Sequence, residues 1–322
     1  MTADISVVIP VRDQEQFVGA VCLALELQTL EQTRFEVIFV NDGSKDASPE
    51  ILEAWVSRDP VRRRVLTTNG VGPARAKNTA LNVASGEWVA FTDADTIPDK
   101  NWLETALDVA NKNGCDAIEG SIEPWPEPTT SALNVQPTNQ TGGRFMGGNM
   151  VFRRSLLERL SGFDPSLEQF LEDSDLALRA LDTGATIAYV PELRVTHPPV
   201  EVGLGQALRR TKRVRWVALF AKKHPQRYRS DFRALVRPIS SVDQDVVIGL
   251  LAAGAAMRAS GAQRAILGFV AAQGIRRGLG SIGAFSASAD QIPTLTALAL
   301  VCPPLKTFWW AEGCIRFRKL VW

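Results

Sequence analysis

The sequence predicts a layered α/β fold on a mostly parallel sheet, followed by a helical extension, and three observations carry that prediction. From Ile5 to Tyr189 short β-branched runs alternate with segments of helical period. Several of those runs end in turns that bear carboxylates. After Pro198-Pro199 the alternation stops and the chain becomes basic, then rich in Ala, Gly and Leu.

The elements follow in order. Candidate strands are Ser6 to Ile9, Glu36 to Val40, Arg64 to Thr67, Trp88 to Thr92, Ala117 to Ser121 and Thr186 to Val190. Between the first two, Gln16 to Gln28 places Phe17, Val21, Leu23, Ala24, Leu25 and Leu27 so that a helix can pack on the sheet. Pro49 to Val56 reads as a second helix, with Ser48 as N-cap and Pro49 in the first turn. A third starts near Gly72-Pro73 and ends at Ser85-Gly86. The stretch Glu123 to Gly143 is rich in Pro, Thr, Asn and Gly, has neither period, and reads as a long loop: a candidate lid or acceptor-facing flap. Composition shifts place boundaries near 200 and 240, giving an α/β domain over 1–200, a basic helical segment over 201–240 and an apolar, basic helical extension over 241–322.

Composition narrows the class. The chain has 322 residues, 45% of them hydrophobic and 22% charged, which excludes a disordered or collagen-like protein. The net charge of +1 hides an asymmetry: residues 1–200 carry 17 basic and 29 acidic side chains, and residues 201–322 carry 19 and 6. The basic part suits phosphates or an anionic membrane surface. Cys22, Cys115, Cys302 and Cys314 are far apart and form no C-x-x-C pair, which argues against a zinc site or a disulfide framework. The start MTADISVVIPVRD has no basic n-region or apolar h-region, so a cytoplasmic location is expected. The longest uncharged apolar stretch, Val246 to Met257, has 12 residues, short of the roughly 20 that a spanning helix needs.

The strongest local signal is Trp88-Val-Ala-Phe-Thr92 followed by Asp93-Ala94-Asp95. Two carboxylates at i and i+2 in a turn can present hard oxygen ligands to a divalent ion, and that ion can neutralise a diphosphate; a solvated Asp-rich turn is the plain alternative. Phe35 to Val40 ends in Asn41-Asp42-Gly43-Ser44, and the first strand ends in Pro10-Val11-Arg12-Asp13. Three strands thus deliver acids to the one sheet edge where open α/β sheets bind ligands.

Seven segments in order, V-V-I-P-V-R-D, E-V-I-F-V-N-D-G-S-K-D, G-P-A-R-A-K-N-T-A-L, G-E-W-V-A-F-T-D-A-D, G-G-N-M-V-F-R-R-S-L-L, G-F-D-P and E-D-S-D-L-A-L-R, resemble the inverting family 2 glycosyltransferases of GT-A fold over about residues 5 to 200. The resemblance implies a Rossmann-like α/β/α domain that takes a sugar from a UDP-, GDP- or dTDP-sugar, with Mn²⁺ or Mg²⁺ as cofactor, and passes it to an acceptor hydroxyl. It implies that Asp42 binds the base or ribose and that Pro10 lines the nucleotide pocket beside Asp13, where the family more often has Asn. Lys77-Asn78 match the family's Arg-Asn pair and would reach the nucleotide or its phosphates, with Arg75 as a backup. Asp93 and Asp95 would hold the metal against the diphosphate, Asp95 as the more direct ligand and Asp93 nearer the ribose, and His197 would add a ligand unless it is a capped loop residue. Asp173 would deprotonate the acceptor as it attacks from the face opposite the leaving group, with Glu172 orienting the acceptor or the base. Asp175 would cap the helix. Small residues at Gly147, Gly148 and Asn149 would let the backbone approach sugar or acceptor.

The last third departs from the family's processive pattern: Lys212-Arg213-Val214-Arg215-Trp216 keeps only the R-W of Q-x-x-R-W. Its basic residues and the Trp-rich tail Phe308-Trp309-Trp310 suit phosphates or the head-group layer, and packing within the protein explains them equally well. The expected partners are therefore a nucleoside diphosphate sugar, a hydroxyl acceptor that includes lipid-linked ones, and the cytoplasmic face of a membrane, with no nucleic acid. A nucleotidyltransferase would want a Gly-bearing loop after the first strand, and Val11-Arg-Asp-Gln-Glu-Gln has none. A non-catalytic sugar-nucleotide-binding scaffold is the remaining alternative.

Overall fold

The computed structural model describes residues 3–112, 114–125, 134–135, 137–201, 204–232, 241–281 and 292–321. Two compact units divide the chain, one formed by 1–126 and 136–198 and the other by 127–135 and 199–322.

The first unit contains β1 (Ile5–Val11), α1 (Val18–Glu26), β2 (Phe35–Asp42), α2 (Ser48–Val56), β3 (Arg63–Thr68), α3 (Pro73–Leu81), β4 (Trp88–Thr92) and β5 (Ile97–Pro98). It continues with α4 (Trp102–Lys112), β6 (Ala117–Pro124), then, beyond β7 (Asn134–Val135) of the other unit, β8 (Asn149–Arg153), α5 (Arg154–Arg159), α6 (Glu172–Asp182) and β9 (Ile187–His197). The sheet order is β3-β2-β1-β4-β8-β6-β9-β5. β1 lies between β2 and β4 and runs parallel to both. The order reverses at β1, and the crevice at the carboxyl ends of β1 and β4 is the place where such sheets take ligands.

Strand alternation builds two cores. Ile5, Val7 and Ile9 of β1, Val37 and Phe39 of β2 and Ala90 of β4 pack on one face with Val21 of α1, Leu52 of α2 and Leu103 of α4. Val8, Ile38, Val40, Val89 and Phe91 point the opposite way, against Ala76 of α3, Leu156 of α5 and Leu176 of α6. The result is an α/β/α sandwich.

Several expectations need correction. Asn149 to Arg153 is a buried antiparallel strand between β4 and β6, so the sheet is mixed. Its three apolar residues, Met150 to Phe152, are flanked by Gly147-Gly148-Asn149 and by Arg153-Arg154, which hid the strand. The first helix spans Val18–Glu26, shorter than Gln16 to Gln28, and the third stops at Leu81. Ser48 does not cap α2; its hydroxyl accepts the Gln14 N–H at 2.9 Å and ties two loops of the ligand edge together. Of the long loop, 126–133 and 136 lie outside the described residues, which covers most of the expected lid.

Asn149 is also not a surface for an acceptor. The β6–β9 pairing shifts register between Gly120 and Ser121, which leaves carbonyls without strand partners. The Asn149 Nδ2 donates to two of them, Ser121 O at 2.8 Å and Leu193 O at 2.7 Å, and Asn149 Oδ1 accepts the Trp102 indole N–H at 2.9 Å. A side chain on Gly120 would collide with this amide, since its Cβ would lie 2.2 Å from Nδ2.

The second unit holds β10 (Val200–Glu201), paired antiparallel with β7, and helices α7 (Leu204–Arg210), α8 (Arg215–Lys223), α9 (Pro225–Arg227), α10 (Ser241–Ala256), α11 (Gly261–Ser281) and α12 (Ile292–Phe317). Arg215 and Trp216 do not face phosphates. The Arg215 guanidinium lies 3.0 Å from the Glu312 carboxylate and 4.3 Å from the centre of the Trp309 ring, and Trp216 packs on Phe317. The Trp310 indole N–H donates to Val321 O at 2.9 Å. Among the described residues no helix is long and apolar enough to cross a membrane.

Asn149→Ala should destabilise the protein by about 3 kcal/mol, because it leaves two buried carbonyls and an indole N–H unpaired. For a domain of this size that corresponds to a fall of about 6–12 °C in melting temperature, and calorimetry checks it. A melting point within about 1 °C of the parent would show that the register shift does not depend on this amide.

Candidate active site

The end of β4 makes the first wall. Asp93, Ala94 and Asp95 form a turn held by the Thr96 hydroxyl, which accepts the Asp93 N–H at 3.1 Å. The Thr92 hydroxyl donates to Gly148 O at 2.9 Å, which fixes the 147–148 backbone against the same turn. A Cβ on Gly148 would stand 3.0 Å from Asp93 Oδ2, so the glycine permits the close approach. Burial and the neighbouring Asp95 push the Asp93 carboxyl up to about 7, which a cation at this position would relieve.

His197, at the end of β9, brings Nε2 to 3.8 Å from Asp95 Oδ2. Its Nδ1 lies 2.6 Å from Pro198 O, and since a carbonyl only accepts, Nδ1 carries the hydrogen there. Nε2 is the ring nitrogen on the Asp95 side. Among the described residues no three His, Cys, Asp or Glu side chains converge as a complete cage. Asp95 and His197 therefore make a partial donor set of nitrogen and oxygen, which fits a divalent ion whose other ligands come from phosphate and water.

The second wall is the loop after β3. Asp42 Oδ1 accepts the Thr68 hydroxyl at 2.6 Å and the Val71 N–H at 2.7 Å, while Oδ2 accepts the Gly72 N–H at 2.9 Å. Burial alone would raise its pKa, but these three hydrogen bonds and the Arg12 guanidinium hold the carboxyl below the usual range. Both lone pairs of Oδ1 are thus in use, and Oδ2 faces the Arg12 guanidinium at 4.0 Å besides the Gly72 N–H. Pro10 lies on β1 past Val8↔Phe91, where the β4 ladder ends, so a residue without an N–H costs that ladder nothing. Asp13 has φ +52° and accepts the Lys45 N–H at 2.7 Å, which makes it a loop-shaping residue. Arg75 is exposed on α3.

The third wall holds the acid pair. Lys77 on α3 is 2% exposed, and its Nζ lies 3.2 Å from Glu172 Oε1 and 2.5 Å from Asp173 Oδ1 at the start of α6. Burial would push this lysine down, but Asp173, then Glu172 and Asp93, outweigh it and hold the ammonium above its ordinary range. Burial and then Asp173 raise the Glu172 carboxyl. Gly147, expected to let the backbone approach sugar or acceptor, packs directly on Asp173: a Cβ there would lie 2.2 Å from Asp173 Oδ2.

Around this pair the structure reassigns two residues. Asn78 donates to Phe163 O and accepts the Phe163 N–H, both at 2.8 Å, so its amide holds the Gly162-Phe163 turn and is not directed at a nucleotide. Asp175 does not cap α6, whose N-cap is Leu171; its carboxylate pairs with Arg179 Nε at 2.8 Å, and Arg179 donates to Leu160 O and Gly162 O. A residue that sequence reading passed over is Glu119. It is buried in β6 and accepts N–H groups from Gly143, Arg144 and Phe145 at 2.6–3.1 Å and the Asn139 amide at 2.8 Å. It thereby anchors the segment that runs on to Gly147 and Gly148. An acid inside an otherwise apolar strand was the available signal.

Comparison with known proteins follows the same lines. The model of the family described as Glycosyl transferase family 2 matches residues 6–161, and that of Glycosyl transferase family group 2 matches residues 88–310. Glycosyltransferase AglE of Haloferax volcanii is 25% identical over 205 residues, 60% of this chain and 66% of that protein. The EpsJ glycosyltransferase of Bacillus subtilis is 32% identical over 206 residues, 58% and 59% of the two chains. The chain spans less than two thirds of the length of either relative. Among solved structures, the mannosyltransferase PcManGT from Pyrobaculum calidifontis, in complex with GDP-Man and Mn²⁺, superposes with a TM-score of 0.61 at 19% identity, covering 96% of this chain and 88% of that one. S. aureus TarS 1-349 in complex with UDP gives 0.52 at 17% identity over 99% and 93%. The likeness to these structures is one of fold, the GT-A fold. With the wider family model spanning more than half of its length, the chain belongs to the family 2 glycosyltransferases.

Proposed function

We propose that the protein is an inverting glycosyltransferase that moves a sugar from a nucleoside diphosphate donor to an acceptor hydroxyl by direct displacement. The observation that carries this reading is Asp173: a carboxylate at a helix N-terminus, with one oxygen on a buried lysine and the other against the Cα of a glycine. One edge of the sheet supports a nucleotide site at Asp42 and Pro10, a diphosphate and metal site at Asp93, Asp95 and His197, and a base at Asp173. Complexes of fold relatives with GDP-Man and Mn²⁺, and with UDP, support the donor class.

In this reading Asp42 takes a base or ribose hydrogen bond on Oδ2. Asp95 and His197 hold Mn²⁺ or Mg²⁺, with Asp93 beside them, and the bound ion supplies charge neutralisation for the departing diphosphate. Asp173 accepts the acceptor's hydroxyl proton as the oxygen bonds to the anomeric carbon and the C1–O bond to phosphate breaks on the opposite face. Lys77 and Glu172 keep the Asp173 carboxylate in place. A non-catalytic scaffold would have no use for a buried ion pair that orients one carboxylate. The acceptor is a hydroxyl compound, lipid-linked ones included, and the basic second unit contacts a membrane surface.

Three measurements test this. Asp173→Asn should lower transfer about 100- to 10,000-fold, the range for loss of a general base, with donor binding changed less than about twofold. Gly147→Val should lower transfer about as much, because its side chain displaces the Asp173 carboxylate, and a crystal structure of the variant should show that displacement. Asp95→Ala should remove the Mn²⁺-dependent part of the thermal stabilisation by UDP, GDP or dTDP, which amounts to about 2.7 kcal/mol at a hundredfold excess over Kd in the parent. Normal transfer by Asp173→Asn would overturn the mechanism.

A further inference from the structure

The α10–α11 hairpin is built inside out. Where the two helices meet, the residues are small: Gly249 packs on Ala271 and Gly274, and a Cβ on Gly274 would lie 2.3 Å from Asp245 O. Val246 is buried against Gly278 at the base of the hairpin, but towards the other end four large apolar side chains are exposed: Leu251 is 70% exposed, Met257 80%, Ile266 65% and Phe269 66%. Leu251, Ile266 and Phe269 lie between the Gly249–Gly274 contact and the turn that joins the helices, and Met257 lies in that turn. A water-soluble pair of helices does the reverse, with Leu, Ile and Phe in the seam and Ala and Gly outside. Small residues in the seam with large apolar ones outward is how helices pack when their solvent is lipid.

Charge decides what covers this face. No acidic residue occurs from Val246 to Ala289. The acids at the base of the hairpin are paired, Asp243 with Lys306 at 3.1 Å and Asp245 with Arg277 at 2.5 Å. The turn end carries Arg258 and Arg264, both exposed. A second copy laid face to face on this end would set arginine against arginine with no carboxylate on either surface. An anionic head-group layer supplies the opposite charge, at roughly a fivefold gain in affinity per arginine. Since neither helix is long and apolar enough to cross a bilayer, the hairpin rests at the boundary of head groups and acyl chains.

We propose that the α10–α11 hairpin is a membrane-docking element that seats Leu251, Met257, Ile266 and Phe269 at the surface of an anionic lipid layer, with Arg258 and Arg264 on the phosphates. This gives the membrane contact proposed above a definite surface, which differs from the Trp309-Trp310 tail. It is tested without donor or acceptor, so it stands or falls separately from the transfer reaction.

The full-length chain is to be co-sedimented with phosphatidylcholine vesicles that carry about 30% phosphatidylglycerol, and with phosphatidylcholine alone. The parent should bind the anionic vesicles, and Leu251→Glu/Phe269→Glu should weaken that binding at least about tenfold while melting at the parent's temperature. Arg258→Ala/Arg264→Ala should lose about 25-fold on anionic vesicles and show little change on neutral ones. All four positions are exposed, and since Arg264 Nε donates to Ala256 O at 3.2 Å, the melting temperature of each variant is measured beside the parent's before binding is compared. Unchanged binding by the Leu251/Phe269 variant, or no binding by the parent, would overturn the proposal. So would a parent dimer in solution that the same variant splits, since the occupant would then be a second copy.

Discussion

An ammonium group that is almost wholly removed from water needs carboxylates beside it, and the carboxylates need it in return. Lys77 stands in this relation to Glu172 and Asp173, and the arrangement of the candidate site depends on it. The ion pair joins α3 to the start of α6. Because α3 also follows the loop that Asp42 holds, the Asp42 wall and the Asp173 wall share one helix. Loss of the lysine would leave two buried negative charges next to Asp93, an arrangement that the site could resolve only by moving apart or taking up protons.

Buried polar groups perform the same service elsewhere in the first unit. Glu119 gathers three successive backbone N–H groups of the segment leading to Gly147, and Asn149 closes the carbonyls that a register shift leaves open. Glu119 acts from within β6 on a segment between strands, and Asn149 acts from the start of β8 on the carbonyls of β6 and β9. The close fit of Gly147 on Asp173 and of Gly148 on Asp93 is a consequence: anchored at Glu119 and at the Thr92 hydroxyl, the backbone has little freedom to retreat.

The second unit follows a different rule. Cation–π and ionic contacts of Lys212 and Arg215 with Trp309 and Glu312 consume the basic and aromatic residues that first suggested a surface for phosphates or head groups. Exposed large apolar side chains occur on α12 and its tail, as Phe308, Ile315 and Leu320, and on the α10–α11 hairpin, where Gly249, Ala271 and Gly274 meet in the seam.

Much of the first unit was legible in the sequence, because local rules govern it. Short β-branched runs marked six of the strands and which of their ends carry acids, Pro49 and Pro73 marked helix starts, and seven ordered motifs identified the family. The antiparallel strand β8 was not legible, since its three apolar residues, Met150 to Phe152, stand between paired glycines with Asn149 and a pair of arginines. Asn78, Asn149 and Asp175 were misplaced for one reason: an amide or carboxylate reads the same whether it meets a ligand or a backbone carbonyl, an N–H or an arginine 4 to 85 residues away. Sequence alone determined the sheet edge and the chemical types gathered on it. Tertiary structure alone decided which of those groups pair with one another, Asp173 with Lys77, Asn78 with Phe163 and Asp175 with Arg179, because hydrogen-bond and charge compensation is settled between residues that only folding brings together.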